Sequence, residues 1–85
     1  MTVLTKSEAE SVTNYYSEIL IGKPITPPGN SNALKISSLE TSKLDDGYVV
    51  RCVCNVSGKI FYSSLEKAIL NTNVIPLEEF LSNLN

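Results

Sequence analysis

The chain has no histidine, no tryptophan, only two cysteines and only seven basic residues in 85. Each shortage removes a class of chemistry. Without histidine, a Ser-His or Cys-His nucleophile pair cannot be assembled. Two cysteines and no histidine fall short of the four ligands of a structural zinc site. Seven Lys and Arg stand against nine Asp and Glu, a net charge of −2, so the chain lacks the basic footprint of a nucleic-acid binder. No apolar run approaches the roughly 20 residues needed to span a bilayer. The opening MTVLTKSEAE has no apolar stretch after its lysine, so a signal peptide is not expected. The four glycines, at 22, 29, 47 and 58, are scattered turn residues and form no phosphate-cradling loop. The expectation is a soluble, cytoplasmic, non-enzymatic protein with no cofactor and no metal.

What is present is enough apolar material for one core. Hydrophobic residues make up 42% of the chain, and its mean hydropathy is +0.04. A single domain over residues 1–85 is expected, near the lower size limit for independent folding. Thr5 and Ser7 each precede a glutamate by three positions, the pattern of a capping box. Ala9, Val12, Tyr16, Ile19 and Leu20 then share one helical face, and Gly22 suits the position past a helix end, which predicts a helix over 7–21. GKPITPPGNSN, 22–32, reads as a proline-stiffened loop. The region 33–62 reads as a three-stranded antiparallel meander. Its first strand has a bulge near Ser37–Ser38, its second covers 47–56 and its third is KIFYS, joined by turns at Asp46-Gly47 and Ser57-Gly58. Helices follow over 64–71, with Ser63 and Glu66 as a second capping box, and over 76–84, with Pro76 at the start. The order α-β-β-β-α-α predicts a two-layer α+β domain with its helices on one face of the sheet.

Both cysteines lie in YVVRCVCNV, 48–56. Alternation places Tyr48, Val50, Cys52, Cys54 and Val56 on one face, and Val49, Arg51, Val53 and Asn55 on the other. The first set carries no charge and is expected to face the helices, which makes the thiols core residues. Same-face neighbours on a strand are about 7 Å apart, too far for a comfortable disulfide. If Ile60 and Tyr62 also point to the core, Lys59 and Phe61 join the outer face. Val49, Arg51, Val53, Lys59 and Phe61 then form an apolar-basic patch of the composition found at interface centres, and these five are the candidate partner-binding residues. Aspartate at Val53 or Phe61 is expected to leave the fold intact. Glu78-Glu79 and Asp45-Asp46 read as solvated acidic surface, and the Asn55-Val56-Ser57 sequon is discounted for want of a secretory route.

The α-β-β-β-α order over residues 7–71, with Ser63-Ser64 before its second helix, is similar to that of double-stranded-RNA-binding domains. Those domains have a basic cluster at that helix start; here SSLEKA offers Glu66 and only Lys67, and the last helix carries Glu78 and Glu79. The likeness is one of element order, and acidic helix ends would repel phosphate.

These features predict a protein-binding module, a small adaptor or inhibitor of a larger protein. A phage- or mobile-element-encoded protein aimed at a host defence or nucleic-acid machine fits that description. The expected partner is a protein, a second copy of the chain included; neither nucleic acid nor membrane is expected. The alternative is a nucleic-acid-binding domain using Lys35, Arg51, Lys59 and Lys67 around Phe61. A small-molecule pocket under the 22–32 loop is a third reading.

Overall fold

The structure, a computed structural model, describes residues 3–84. Thr5 caps α1 (Lys6–Leu20). Its hydroxyl accepts from the Glu8 N–H at 3.1 Å, and the Glu8 carboxylate accepts from the Thr5 N–H at 2.8 Å. This reciprocal box satisfies two donors that a helix start would leave bare. Ala9, Val12, Tyr16 and Leu20 are buried along the inward stripe of α1. Gly22 follows with φ 90°, a conformation that favours glycine, and its N–H donates to the Ile36 carbonyl at 2.8 Å.

The proline-rich stretch is more ordered than a loop. Within it, β1 (Pro24–Ile25) pairs antiparallel with β2 (Leu34–Lys35). Ile25 and Pro27 are buried, and the Lys67 ammonium donates to the Thr26 carbonyl at 2.7 Å. The segment is thereby pinned at both levels, by side-chain burial and by a hydrogen bond.

The main sheet is the expected antiparallel meander of β3 (Ser38–Leu44), β4 (Gly47–Val56) and β5 (Lys59–Ser64), in that order. The Ser37 N–H donates to the Val53 carbonyl at 2.7 Å while Ser38 is the partner opposite Val53. Two residues thus face one at the expected position, but the strand expected to run through it from residue 33 is divided: Leu34–Lys35 pair with β1, and the meander begins only at Ser38. Leu4 exchanges two backbone hydrogen bonds with Tyr48, of 2.7 and 2.8 Å, and extends the sheet beyond the end of β5. A Cβ at Gly47 would stand 2.7 Å from the Leu4 carbonyl oxygen, so only glycine admits this close approach.

Ser64, rather than Ser63, caps α2 (Leu65–Thr72) by accepting from the Lys67 N–H at 3.1 Å. Asn73, with φ 56°, ends it. Pro76 is the N-cap of α3 (Leu77–Asn83) and not its first helical residue. The Tyr16 hydroxyl donates to the Ile75 carbonyl at 2.7 Å, and Phe80 stacks on Tyr15 with ring centroids 4.7 Å apart. These contacts hold α3 to α1.

One core joins the layers. Val50, Cys52 and Cys54 of β4 cluster with Val12, Tyr16 and Leu20 of α1, Leu65, Ala68 and Ile69 of α2, and Leu77 of α3. All three helices therefore sit on one face of the sheet. Among the described residues, no helix is long and apolar enough to cross a membrane.

Candidate functional site

The two-residue turn Ser57-Gly58 decides which side chains reach the open face. Both residues have positive φ, 52° and 85°, the geometry that closes a tight hairpin. Val56 is thereby paired with Lys59, Cys54 with Phe61, and Val53 with Tyr62. Paired residues of an antiparallel ladder share a face. Lys59 and Phe61 therefore lie on the helix-facing side, and the expectation that they join the outer patch is overturned. Phe61 packs against the core, with the Lys59 ammonium 5.3 Å from its ring centroid. Ile60 and Tyr62, expected inside, are instead 46% and 43% exposed on the outer face. Val56 shares the helix-facing side as expected, but it is exposed and outside the core cluster.

The outer face keeps Val49, Arg51 and Val53 as expected. The two valines are nearly covered, so they form the floor of the face and not its contact surface. Aspartate at Val53 would place a charge in that floor. The accessible apolar groups are Ile60 and Tyr62 of β5, with Leu44 of β3 and Val3 at the far end.

Arg51 stands at the centre. Its guanidinium lies 4.1 Å from the Tyr62 ring centroid, donates to the Ser42 hydroxyl at 3.1 Å and approaches the Glu40 carboxylate at 3.6 Å. Register explains the group, since Glu40 is opposite Arg51 on β3 and Tyr62 is diagonal to it on β5. The fixed, planar cation is displayed on an aromatic face.

Beside Arg51, where β5 leaves the sheet, lies a recess of about 340 Å³ lined by Pro28, Val49, Val50, Arg51, Tyr62, Ser63, Ser64 and Glu66. Among the described residues, two buried side-chain polar atoms lack a hydrogen-bond partner: Arg51 Nε and Ser63 Oγ. Both belong to residues that line this recess. Sequence reasoning missed Ser63, whose pattern suggested only a helix cap. Pro28 brings the 22–32 segment to the border of the outer face, while Ile25 and Pro27 turn into the interior.

The thiols carry no reactive character. Cys52 and Cys54 are free and fully buried. Burial first, then the neighbouring Cys54 and Glu66, push the Cys52 thiol up to about 12; burial also raises Cys54. Both remain protonated at neutral pH and are poor nucleophiles or ligands. No group of three His, Cys, Asp or Glu side chains able to hold a metal occurs among the described residues.

Nor do the basic residues converge. Arg51 is on the outer face, Lys59 on the helix-facing side, Lys67 is bonded to the Thr26 carbonyl, and Lys35 lies on β2. Phe61 is half-buried and offers no open stacking face at their centre.

The chain matches no protein-family model, no curated protein and no solved structure.

Proposed function

We propose that this chain is a non-enzymatic protein-binding module that occupies a surface on a larger protein, as a small adaptor or inhibitor. The observation that carries the reading is the uncovered outer sheet face. All three helices lie on the other side, and Ile60 and Tyr62 are left open around an arginine held by Tyr62, Ser42 and Glu40. Arginine and tyrosine are the residue types that dominate interface energetics, and Ile60 adds apolar area at low entropic cost. The Arg51–Tyr62 stack is the anchor, and the valine floor keeps it rigid.

A second copy of the chain is the other occupant that an observation favours. β5 is an edge strand, so one of its backbone edges is free to extend the ladder.

The experiment is a tagged pull-down from the native host lysate, with and without nuclease, beside an Ile60→Asp/Tyr62→Asp variant. A stoichiometric partner that survives nuclease and is lost in the variant is the expected result. Sedimentation of the purified protein distinguishes the second copy. Recovery only while nucleic acid is intact would replace this reading with the nucleic-acid one. Equal recovery by wild type and variant would remove the sheet face from the function.

A further inference from the structure

β5 leaves one side of its backbone bare, and the hairpin turn decides which residues supply it. Val56 and Lys59 flank the two-residue turn, so they exchange both backbone hydrogen bonds. Tyr48 exchanges both of its bonds with Leu4 on the same side of β4, and Val56, an even number of positions along, faces the same way. Hydrogen-bonded pairs recur at every second residue of an antiparallel ladder. Lys59, Phe61 and Ser63 therefore direct their N–H and C=O groups to β4, and Ile60 and Tyr62 aim theirs outward. Among the described residues, neither makes a backbone hydrogen bond outside the meander. The opposite edge, β3, is guarded: a bulge at Ser37–Ser38 interrupts it, and it carries Glu40 and Lys43. β5 has no proline, no bulge and one charge, Lys59, at its first position.

We propose that two copies of the chain pair β5 to β5, antiparallel, about a two-fold axis at Phe61, and so join their three-stranded sheets into one continuous sheet. In that register Ile60 of each copy pairs with Tyr62 of the other. Each pair exchanges both backbone bonds, so every outward group of the two residues is satisfied on both copies. Phe61 meets its own twin as a non-hydrogen-bonded pair, with Cα atoms about 4.5 Å apart. Lys59 falls opposite Ser63, so no like charges meet. Ile60 beside Tyr62 is an aliphatic–aromatic cross-strand pair on the outer face. The pairing uses the backbone edge, so the Arg51–Tyr62 stack stays on the outer face and the dimer displays it twice. The inference rests on the reading of Ile60 and Tyr62 as the open side of β5, and it needs no larger partner.

The test uses the purified chain alone, so its failure leaves capture of a larger protein by the outer face standing. Sedimentation equilibrium from micromolar to millimolar concentration is expected to show monomer and dimer with no larger species. Amide hydrogen exchange, followed by NMR over the same range, should slow about tenfold or more at Ile60 and Tyr62 as the dimer fills. Leu39, Thr41 and Lys43, whose amides face the β3 edge, should not change. Ile60→Pro removes an outward N–H that β4 does not use, a change an edge strand tolerates. It should raise the dimer dissociation constant about tenfold or more, the worth of the lost interchain bonds. Ile60→Thr keeps that N–H and should raise it less. If Ile60→Pro does not fold, exchange in the wild-type protein decides alone. The inference fails if the chain stays monomeric at millimolar concentration, or if it dimerises while Ile60 and Tyr62 still exchange fast. It fails too if the β3 edge becomes protected with them, the mark of head-to-tail stacking, or if Ile60→Thr weakens the dimer as much as Ile60→Pro.

Discussion

Arg51 should be nearly dispensable for stability as a charge, yet not as a piece of hydrocarbon. Its hydrogen bond to Ser42 is worth about 1 kcal/mol, and its partly exposed ion pair with Glu40, at 3.6 Å, about 0–1 kcal/mol. The stack on Tyr62 adds about 0.5–2 kcal/mol. Against these stands the buried Nε–H with no partner, which costs about 1–3 kcal/mol. The terms nearly cancel. The aliphatic stem, however, lies between Val49 and Val53 on the outer face, and its loss exposes the valine floor. Arg51→Met keeps most of that stem and removes both the charge and the stranded donor. It should unfold in urea within about 1 kcal/mol of wild type, whereas Arg51→Ala should lose about 1–2 kcal/mol. Equilibrium urea unfolding followed by far-ultraviolet circular dichroism reads both values. If Arg51→Met costs as much as Arg51→Ala, the charge itself stabilises the fold, and the argument that it is free to serve a partner collapses. If it is neutral, loss of partner capture by the same variant isolates a binding role.

The face assignment of β5 predicts opposite outcomes for adjacent residues. Phe61→Asp should destabilise by about 3 kcal/mol or more, because it buries a carboxylate against the core, while Ile60→Asp should cost under about 1 kcal/mol; thermal melts of the pair that show the reverse order would overturn the register. Stability should also fall in alkali. Burial, then Tyr15 and Glu79, raise Tyr16 from 10.0 to about 12, and burial raises Cys52 from 9.0 to about 12. In the unfolded chain these groups release their protons near pH 9 and 10, but in the fold they keep them, so their contribution is complete below pH 9 and is lost as pH rises towards 12. Each group contributes a slope of up to about 1.4 kcal/mol per pH unit, and urea midpoints that stay level through pH 11 would contradict the burial of both.

The parts of the fold that were legible are those fixed by local chemistry. Thr5 and Glu8 announce the start of α1, and Val12, Tyr16 and Leu20 announce its buried stripe. Gly47 and Ser57-Gly58 bracket β4 at the residues where it begins and ends. The 24–25 strand is hidden, because a two-residue ladder has no period and it contains a proline; Leu34–Lys35 read as the start of the meander, although they pair with 24–25 instead. The misreading of β5 has a specific cause. Ile60 and Tyr62 look like core residues by hydrophobicity, while the tight turn forces Lys59 opposite Val56 and so Phe61 opposite Cys54. Turn geometry sets register, and a slip of one residue inverts every side chain. Applied to the sequence, that rule would have placed Ile60 and Tyr62 on the outer face from the start. The recess and the unpartnered Ser63 hydroxyl depend on where β5 leaves the sheet, which no local pattern encodes.

The most direct measurement of the central claim is an amide NMR titration of the isotope-labelled protein with the partner retrieved from lysate. Shifts and broadening concentrated at Leu44, Val49, Arg51, Val53, Ile60 and Tyr62, with α1 unchanged, are the predicted result. Perturbations confined to α1 and the 22–32 segment, with β4 and β5 silent, would show that the open sheet face is not where this protein binds.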